Sequence, residues 1–440
     1  MSGFSFDPDR LSGRRLTVAV VVWVLVLLLG VFFLWWGFFA KPGEMSSPPT
    51  ATPTEAGNLV PLAAETPIPP AGATPQATLS VGEEVFGYGI QTHGVVGDPE
   101  YTMQQVENLG LGWVKQQVRW AHFEPNPGQM DWSGYDAVIE AANRHGLRVM
   151  LSVVDAPDWT HTSYTDSNPE GAPPDDLSLF ADFLGRLVDR YRGRIHAIEV
   201  WNEENLDREW DTTEGVNAER YVEMLRMAYQ TIKSRDPNII VISGALSPVG
   251  ATATDPNNPS RIIYMDDFQY YQEMIAHNFL DYCDCVGVHH NGYNIPPDVA
   301  YDEPYQDDTA IFRGFWDNPH PSWSFRSTLW RYYDAIGGAK PLCVTEFGWA
   351  SSEGWETYPP GFEFAQDNTE EEQAAYIMQA YRLMREWGFV RLAFLWNLDF
   401  AQKDGIGPTD PNAPYSILDF TGAARPAFEA VGAMEKPQGQ

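Results

Sequence analysis

From about Val85 onward the sequence predicts a parallel (β/α)8 barrel. Three observations carry that expectation: eight short apolar runs, amphipathic helical stretches between them, and a glycine pattern that fits no nucleotide-binding sheet. Eight strands alternating with helices are what a closed parallel barrel needs. The competing architecture is a doubly wound open sheet, which would place a Gly-rich phosphate fingerprint after its first strand. None follows Val85–Gln91.

The first four runs are Val85–Gln91, Gly112–Trp120, Leu147–Val154 and Ile195–Trp201. The last four are Ile239–Leu246, Cys285–His289, Leu342–Phe347 and Leu392–Trp396. After the third strand, Leu177, Phe180, Leu184, Leu187, Val188 and Tyr191 recur at helical spacing. Another helix opens at Thr369-Glu370-Glu371-Glu372, a capping box, ahead of Ala374, Ile377, Met378 and Tyr381.

Upstream the composition changes twice. Leu16 to Ala40 carries no charge and is long enough, at about 1.5 Å per residue, to span a hydrocarbon core. It also exceeds the apolar region of a cleavable signal peptide. Arg10, Arg14 and Arg15 precede it, which by the positive-inside rule leaves residues 1–15 in the cytoplasm and exports the rest. Residues 41–80 are rich in Pro, Thr, Ala and Ser and cannot bury apolar area, so they read as a stalk. The expected organisation is therefore 1–15 cytoplasmic, 16–40 a single-pass signal anchor, 41–80 linker and 81–440 catalytic domain outside the cell membrane.

The formal net charge of −32 excludes nucleic acid as a partner, since a polyphosphate needs a basic footprint. No cofactor motif or metal-binding cluster stands out, so neither is expected.

In parallel barrels chemistry sits at the C-terminal ends of the strands. The fourth strand ends Val200-Trp201-Asn202-Glu203-Glu204-Asn205 and the seventh ends Val344-Thr345-Glu346-Phe347-Gly348-Trp349. Each puts a carboxylate where an apolar run meets a loop. Two carboxyls about 5–5.5 Å apart are what a retaining glycosidase requires, one to attack the sugar and one to protonate the leaving oxygen.

Trp201-Asn202-Glu203 and Thr345-Glu346-Phe347-Gly348-Trp349 resemble the strand-four and strand-seven signatures of clan A glycoside hydrolases, which include families 5, 39 and 42. Arg119-Trp120-Ala121-His122-Phe123-Glu124-Pro125, with Gly128 and Asp131-Trp132 behind it, is similar to the clan's strand-two segment. Tyr415-Ser416-Ile417-Leu418-Asp419 and Arg425-Pro426-Ala427-Phe428 resemble its C-terminus. The resemblance runs from about Val85 to Glu435. It implies a retaining glycoside hydrolase with Glu346 as nucleophile and Glu203 as acid/base, acting on an oligo- or polysaccharide. Asn202 would bond the sugar 2-hydroxyl, Arg119 would orient Glu346, and Trp396 would floor the central subsite. His289 matches the histidine of a His-x-Tyr element on the sixth strand. The tyrosine position holds Asn291, and Tyr293, two residues on, is the substitute expected to supply the phenol. Glu204 stands where many relatives carry proline and is expected at the rim.

Two other functions fit the same motifs: a barrel that binds carbohydrate without cleaving it, and a transglycosidase. Aromatic residues crowd the loops after strand six (Tyr301, Tyr305, Phe312, Phe315, Trp316, Trp323, Phe325) and strand seven (Trp349, Trp355, Tyr358, Phe362, Phe364), as sugar-stacking walls would. Strand parity bears on the thiols. With Glu346 inward, Cys343 faces outward, whereas Cys285 shares the parity of inward His289, so the two are not expected to pair.

Overall fold

The computed structural model describes residues 86–162, 171–305 and 320–437. The expected membrane segment and stalk lie outside these residues, as do Phe312, Phe315 and Trp316. Among the described residues no helix is long and apolar enough to cross a membrane.

All eight expected strands form. They are β1 Gly87–Gln91, β2 Trp113–Arg119, β3 Arg148–Val154, β4 Ala197–Val200, β5 Ile240–Ser243, β8 Val286–Gly292, β9 Leu342–Trp349 and β10 Val390–Leu395. Two further strands, β6 Ala253–Asp255 and β7 Asn258–Tyr264, make a separate antiparallel hairpin. The eight pair in parallel in the order β5-β4-β3-β2-β1-β10-β9-β8. The ends of this sheet meet through a bridge between Ile242 and Cys285 and bonds from Ser243 N to Cys285 O (3.2 Å) and from Gly287 N to Ser243 Oγ (3.0 Å). The sheet is thereby closed into a barrel, and no strand edge is left open.

Helices pack on the outside, each burying its apolar stripe. Helix α1, Leu177–Arg190, starts at Asp176, whose carboxylate accepts from Ser178 N, and buries Phe180, Leu184, Leu187 and Val188. Each such side chain contributes about 1.5–3 kcal/mol relative to exposure. Helix α2, Glu370–Trp387, opens with the anticipated capping box between Thr369 and Glu372 and stops at Gly388, whose φ of 73° suits glycine. Inside the barrel a second cluster of Trp113, Met150, Ala197, Ile242, Cys285, Cys343, Leu392 and Phe394 fills the floor.

That floor overturns the thiol expectation. Cys285 and Cys343 form a disulfide, with Cα atoms 5.7 Å apart, while Cys283 remains a buried thiol. Parity failed because β9 is bulged. Its register slips against β8 between Val288 and His289, which face Val344 and Glu346, and against β10 between Ala393 and Leu395, which face Val344 and Phe347. Thr345 is the extra residue on both sides. One inserted residue reverses the alternation beyond it, so Cys343 and Glu346 both face inward.

The hairpin was not legible in the sequence, yet it serves the site. Its second strand bridges Leu206 and Gly215, and Met265 N bonds Asn205 O at 2.9 Å, pinning the loop that follows β4. Buried Arg261 adds ion pairs to Asp211 (2.9 Å) and Asp207 (3.2 Å) in that loop.

Candidate active site

The regular strand β4 stops at Val200 because the next residues leave the extended region. Trp201 has φ of 74° and Glu203 φ of 46°. For side chains other than glycine such conformations cost about 1–3 kcal/mol each and persist only where the surroundings over-determine them. Here they do. The Trp201 ring packs edge-on against Phe180 and Trp210, outside the barrel, and its Nε1 donates to Glu209 O at 2.6 Å. Glu203 N donates to Ala245 O at 2.9 Å. Asn205 Nδ2 donates to Ser247 O and Met265 O while its Oδ1 accepts from Ser247 N. Strict alternation would have put Glu199, Trp201 and Glu203 on one face. In fact the twist at Trp201 sends its indole outward and brings Glu203 back over the barrel mouth.

On β9 the bulge places Glu346 at the same mouth. Lys115 Nζ, from the middle of β2, donates to Glu346 Oε1 at 2.9 Å and lies 3.2 Å from Glu199 Oε2. The ammonium and Glu199 are fully buried and Glu346 nearly so. Above them sits the imidazole of His289. Its Nδ1 is 3.2 Å from Glu203 Oε1 and 3.7 Å from Glu346 Oε2, and its Nε2 is 3.9 Å from Glu199 Oε1. One ring nitrogen thus touches both catalytic candidates. The two carboxyl groups therefore meet the same imidazole edge at the barrel mouth.

Electrostatics follow from that packing. Burial alone would strip the proton from Lys115, but Glu199 and Glu346 outweigh it and raise its pKa. Burial likewise opposes charge on His289, and again the carboxylates, Glu346 first, win and raise it. For Glu203 burial pushes up, but the hydrogen bond from His289 and the charge of Arg208 prevail, bringing the carboxyl down to about 2. Arg208 Nη2 lies 2.6 Å from Glu203 Oε2. Neighbouring Glu209 goes the other way, to about 8, through burial and the charge on Glu203.

The remaining expected site residues divide. Asn202 is buried at the mouth with its Oδ1 unpartnered, as a group awaiting a ligand hydroxyl would be. Trp396 follows β10, half-buried against Phe400 and the cluster of Ala350, Ala365 and Tyr415. Tyr293 lies past the end of β8 and meets Phe364 edge-on. Arg119 does not orient Glu346. It points along the mouth to Asp155, with which it forms an ion pair, and Lys115 takes the role assigned to it. The trace available in the sequence was a lone lysine inside Trp113–Arg119, on the parity of Trp113. Glu204 corrects the rim expectation: it is fully buried behind the barrel, against Gly244, and burial pushes its pKa well up, reinforced by Glu199 and Glu203. A Cβ on Gly244 would stand 2.3 Å from its Oε2, so only glycine leaves it room. His93 is tied to Asp404 (2.8 Å) and Trp159 Nε1 to Glu124 O (2.9 Å), both framework contacts.

Asp266, Asp267 and His320 bring possible metal-ligand atoms within 4.8 Å of one another. Their oxygens are already engaged. Asp267 accepts from Ser322 Oγ (2.6 Å), and Asp266 accepts from Gln269 N (2.9 Å) and meets His320 Nε2 at 3.0 Å. The cluster ties a loop to a helix start.

Comparison with known proteins agrees with this fold. Residues 80–295 match the family Cellulase (glycosyl hydrolase family 5). An endo-1,4-beta-xylanase A from Phanerodontia chrysosporium is 24% identical over 169 residues, 37% of this chain and 40% of that protein. An endoglucanase A from Butyrivibrio fibrisolvens is 27% identical over 147 residues, 30% of each. The matched region spans less than half the length of these curated relatives. Among solved structures, a family 39 glycoside hydrolase from Bacteroides cellulosilyticus superposes with a TM-score of 0.56 at 20% identity, covering 79% of this chain and 63% of that one. A monomeric beta-xylosidase from Caulobacter crescentus gives 0.52 at 20% identity, over 79% and 67%. Barrel, strand-end motifs and matches together place the resemblance at one level: the chain resembles the clan A glycoside hydrolases.

Proposed function

We propose that the chain is a retaining O-glycosyl hydrolase that cleaves an oligo- or polysaccharide by double displacement. The observation that carries the reading is His289 Nδ1 in contact with both Glu203 and Glu346, which supports a closely spaced pair of the kind a retaining enzyme uses. Lys115 holds Glu346 Oε1, which leaves Oε2 to attack the anomeric carbon. As that bond forms, the glycosidic C–O bond breaks and the proton of Glu203 passes to the leaving oxygen. Water then enters from the same side, gives a proton to Glu203, and expels Glu346 as a carboxylate. Asn202, with its open Oδ1, bonds the sugar beside the reacting carbon, and Trp396 supplies an apolar floor for the ring.

The domain works outside the cell, tethered through the apolar segment 16–40 and the Pro/Thr-rich stalk 41–80. The charge asymmetry of the N-terminus supports this placement, and so does the Cys285–Cys343 disulfide, since such bonds persist in oxidising compartments. Protease added to intact cells should shed the domain.

Stereochemistry tests the reaction. Proton NMR of the first-formed product from an aryl glycoside should show the anomeric configuration of the substrate. Inversion would remove Glu346 as nucleophile, and no turnover on any glycoside of a broad panel would leave a carbohydrate-binding barrel.

A further inference from the structure

Glu203 is held on both carboxylate oxygens at once, by a guanidinium on one and an imidazole on the other. Arg208 Nη2 lies 2.6 Å from Oε2 and His289 Nδ1 3.2 Å from Oε1. Charge-assisted bonds on both oxygens favour the ionised carboxylate and so oppose the proton it must carry toward a leaving group. Releasing one of the two lets Glu203 take that proton up before glycosyl transfer. His289 is wedged without exposure between Glu199, Glu203 and Glu346. Arg208 is the mobile partner: its side chain is 64% exposed, and Glu209 Oε1, 3.8 Å from its Nε, offers a second resting place. The backbone on either side is fastened by Asp207 N to Ile263 O and by Trp201 Nε1 to Glu209 O. Only the side chain needs to swing.

We propose that Arg208 is a latch on the acid/base: it pairs with Glu203 while the cleft is empty, and the incoming leaving-group sugar displaces it, freeing Oε2 for a proton from solvent. The proposal rests on the reading of Glu203 as acid/base, and Arg208 acts through it as a positioning residue. The groups facing Glu203 are His289 from β8, Glu346 from β9 through that imidazole, Glu204 and Glu209 of its own loop, and Tyr415 from the C-terminal segment. Lys115 and Glu199 lie deeper, beneath Glu346 and His289. Arg208 is the cation among them that can be replaced without opening the barrel interior.

The sign is fixed by the charge. Arg208 favours ionised Glu203, so its removal lets the free enzyme keep the acid proton to higher pH. The alkaline limb of kcat/KM reports the acid in the free enzyme, and that of kcat reports it in the substrate complex. In the native chain, with an aryl glycoside of poor leaving group, the kcat limb should therefore lie at higher pH than the kcat/KM limb. In Arg208→Gln the kcat/KM limb should rise by about one pH unit or more, a tenfold change in acid availability, and meet the kcat limb. Arg208→Lys, which keeps the charge, should stay near the native profile. Carbon NMR titration of the Glu203 carboxyl in the native and Arg208→Gln chains reads the same shift without turnover. Coincident limbs in the native chain, or an unchanged Glu203 midpoint in Arg208→Gln, overturns the latch. Absence of any hydrolysis overturns the functional reading instead, and the NMR titration then still decides whether Arg208 sets the state of Glu203.

Discussion

Replacing Lys115 with methionine keeps the reach of the side chain and deletes its charge, so the variant isolates what the ammonium does beneath the nucleophile. Lys115 is fully buried between Glu346 at 2.9 Å and Glu199 at 3.2 Å. Removing one partner of a buried ion pair leaves an uncompensated charge and costs about 3–5 kcal/mol. Here two carboxylates lose the same partner and only His289 remains facing them, so the loss at pH 7 should fall at the upper end of that range. The pH dependence gives the sharper test. In the native protein the Lys115 pKa is raised, so its contribution is fully present below the unfolded value of about 10.4 and is lost only as strongly alkaline pH passes the folded value. In Lys115→Met the stranded carboxylates hold protons in the folded state to higher pH than they do unfolded, near 4.3. The destabilisation should then be small near pH 4 and grow as pH rises above it. Guanidinium unfolding at pH 4.5 and 7 measures both limits, and Lys115→Met/Glu199→Gln should recover about 1–3 kcal/mol by removing one stranded charge. A destabilisation equal at both pH values, or below about 1 kcal/mol at pH 7, would refute the buried-triad account.

Glu204→Gln should stabilise the fold at pH 7, because burial raises the native carboxyl well above its unfolded pKa; the gain should shrink as pH falls toward about 4 and be absent below it, as paired thermal melts would show. Thiol titration of the unreduced, denatured chain should find Cys283 alone, and Cys343→Ser should cost about 4 kcal/mol in the chain-entropy account for a loop of 58 residues, read by chemical unfolding. Glu203→Ala should lose most activity on poor leaving groups while azide restores turnover of activated aryl glycosides as the retained glycosyl azide. Trp396→Ala should lower kcat/KM about 10–100-fold, or about 1.4–2.7 kcal/mol of the barrier, in steady-state assays.

What could be read from the chain itself was whatever depends on neighbours a few residues apart. Apolar runs of strand length, helical spacing and the capping box at Thr369 sufficed for the order of the eight barrel strands, and the motifs at Glu203 and Glu346 marked two strand ends. Strict alternation would not describe the turn before Glu203, because a φ of 74° at Trp201 interrupts it. Tertiary structure decided the rest. The bulge at Thr345 is visible only in the register of β9 against β8 on one side and β10 on the other, and it puts Cys343 on the same inward face as Glu346, where it meets Cys285. Lys115 and Glu346 are far apart in sequence, and nothing local to either predicts that the closed barrel will stack one beneath the other. Arg119, four residues further along the same strand, emerges above that layer and meets Asp155 instead. Local propensity depends on φ, ψ and side-chain period within one element. Which charges share a buried site depends on strand stagger and closure, and those are properties of all eight strands together.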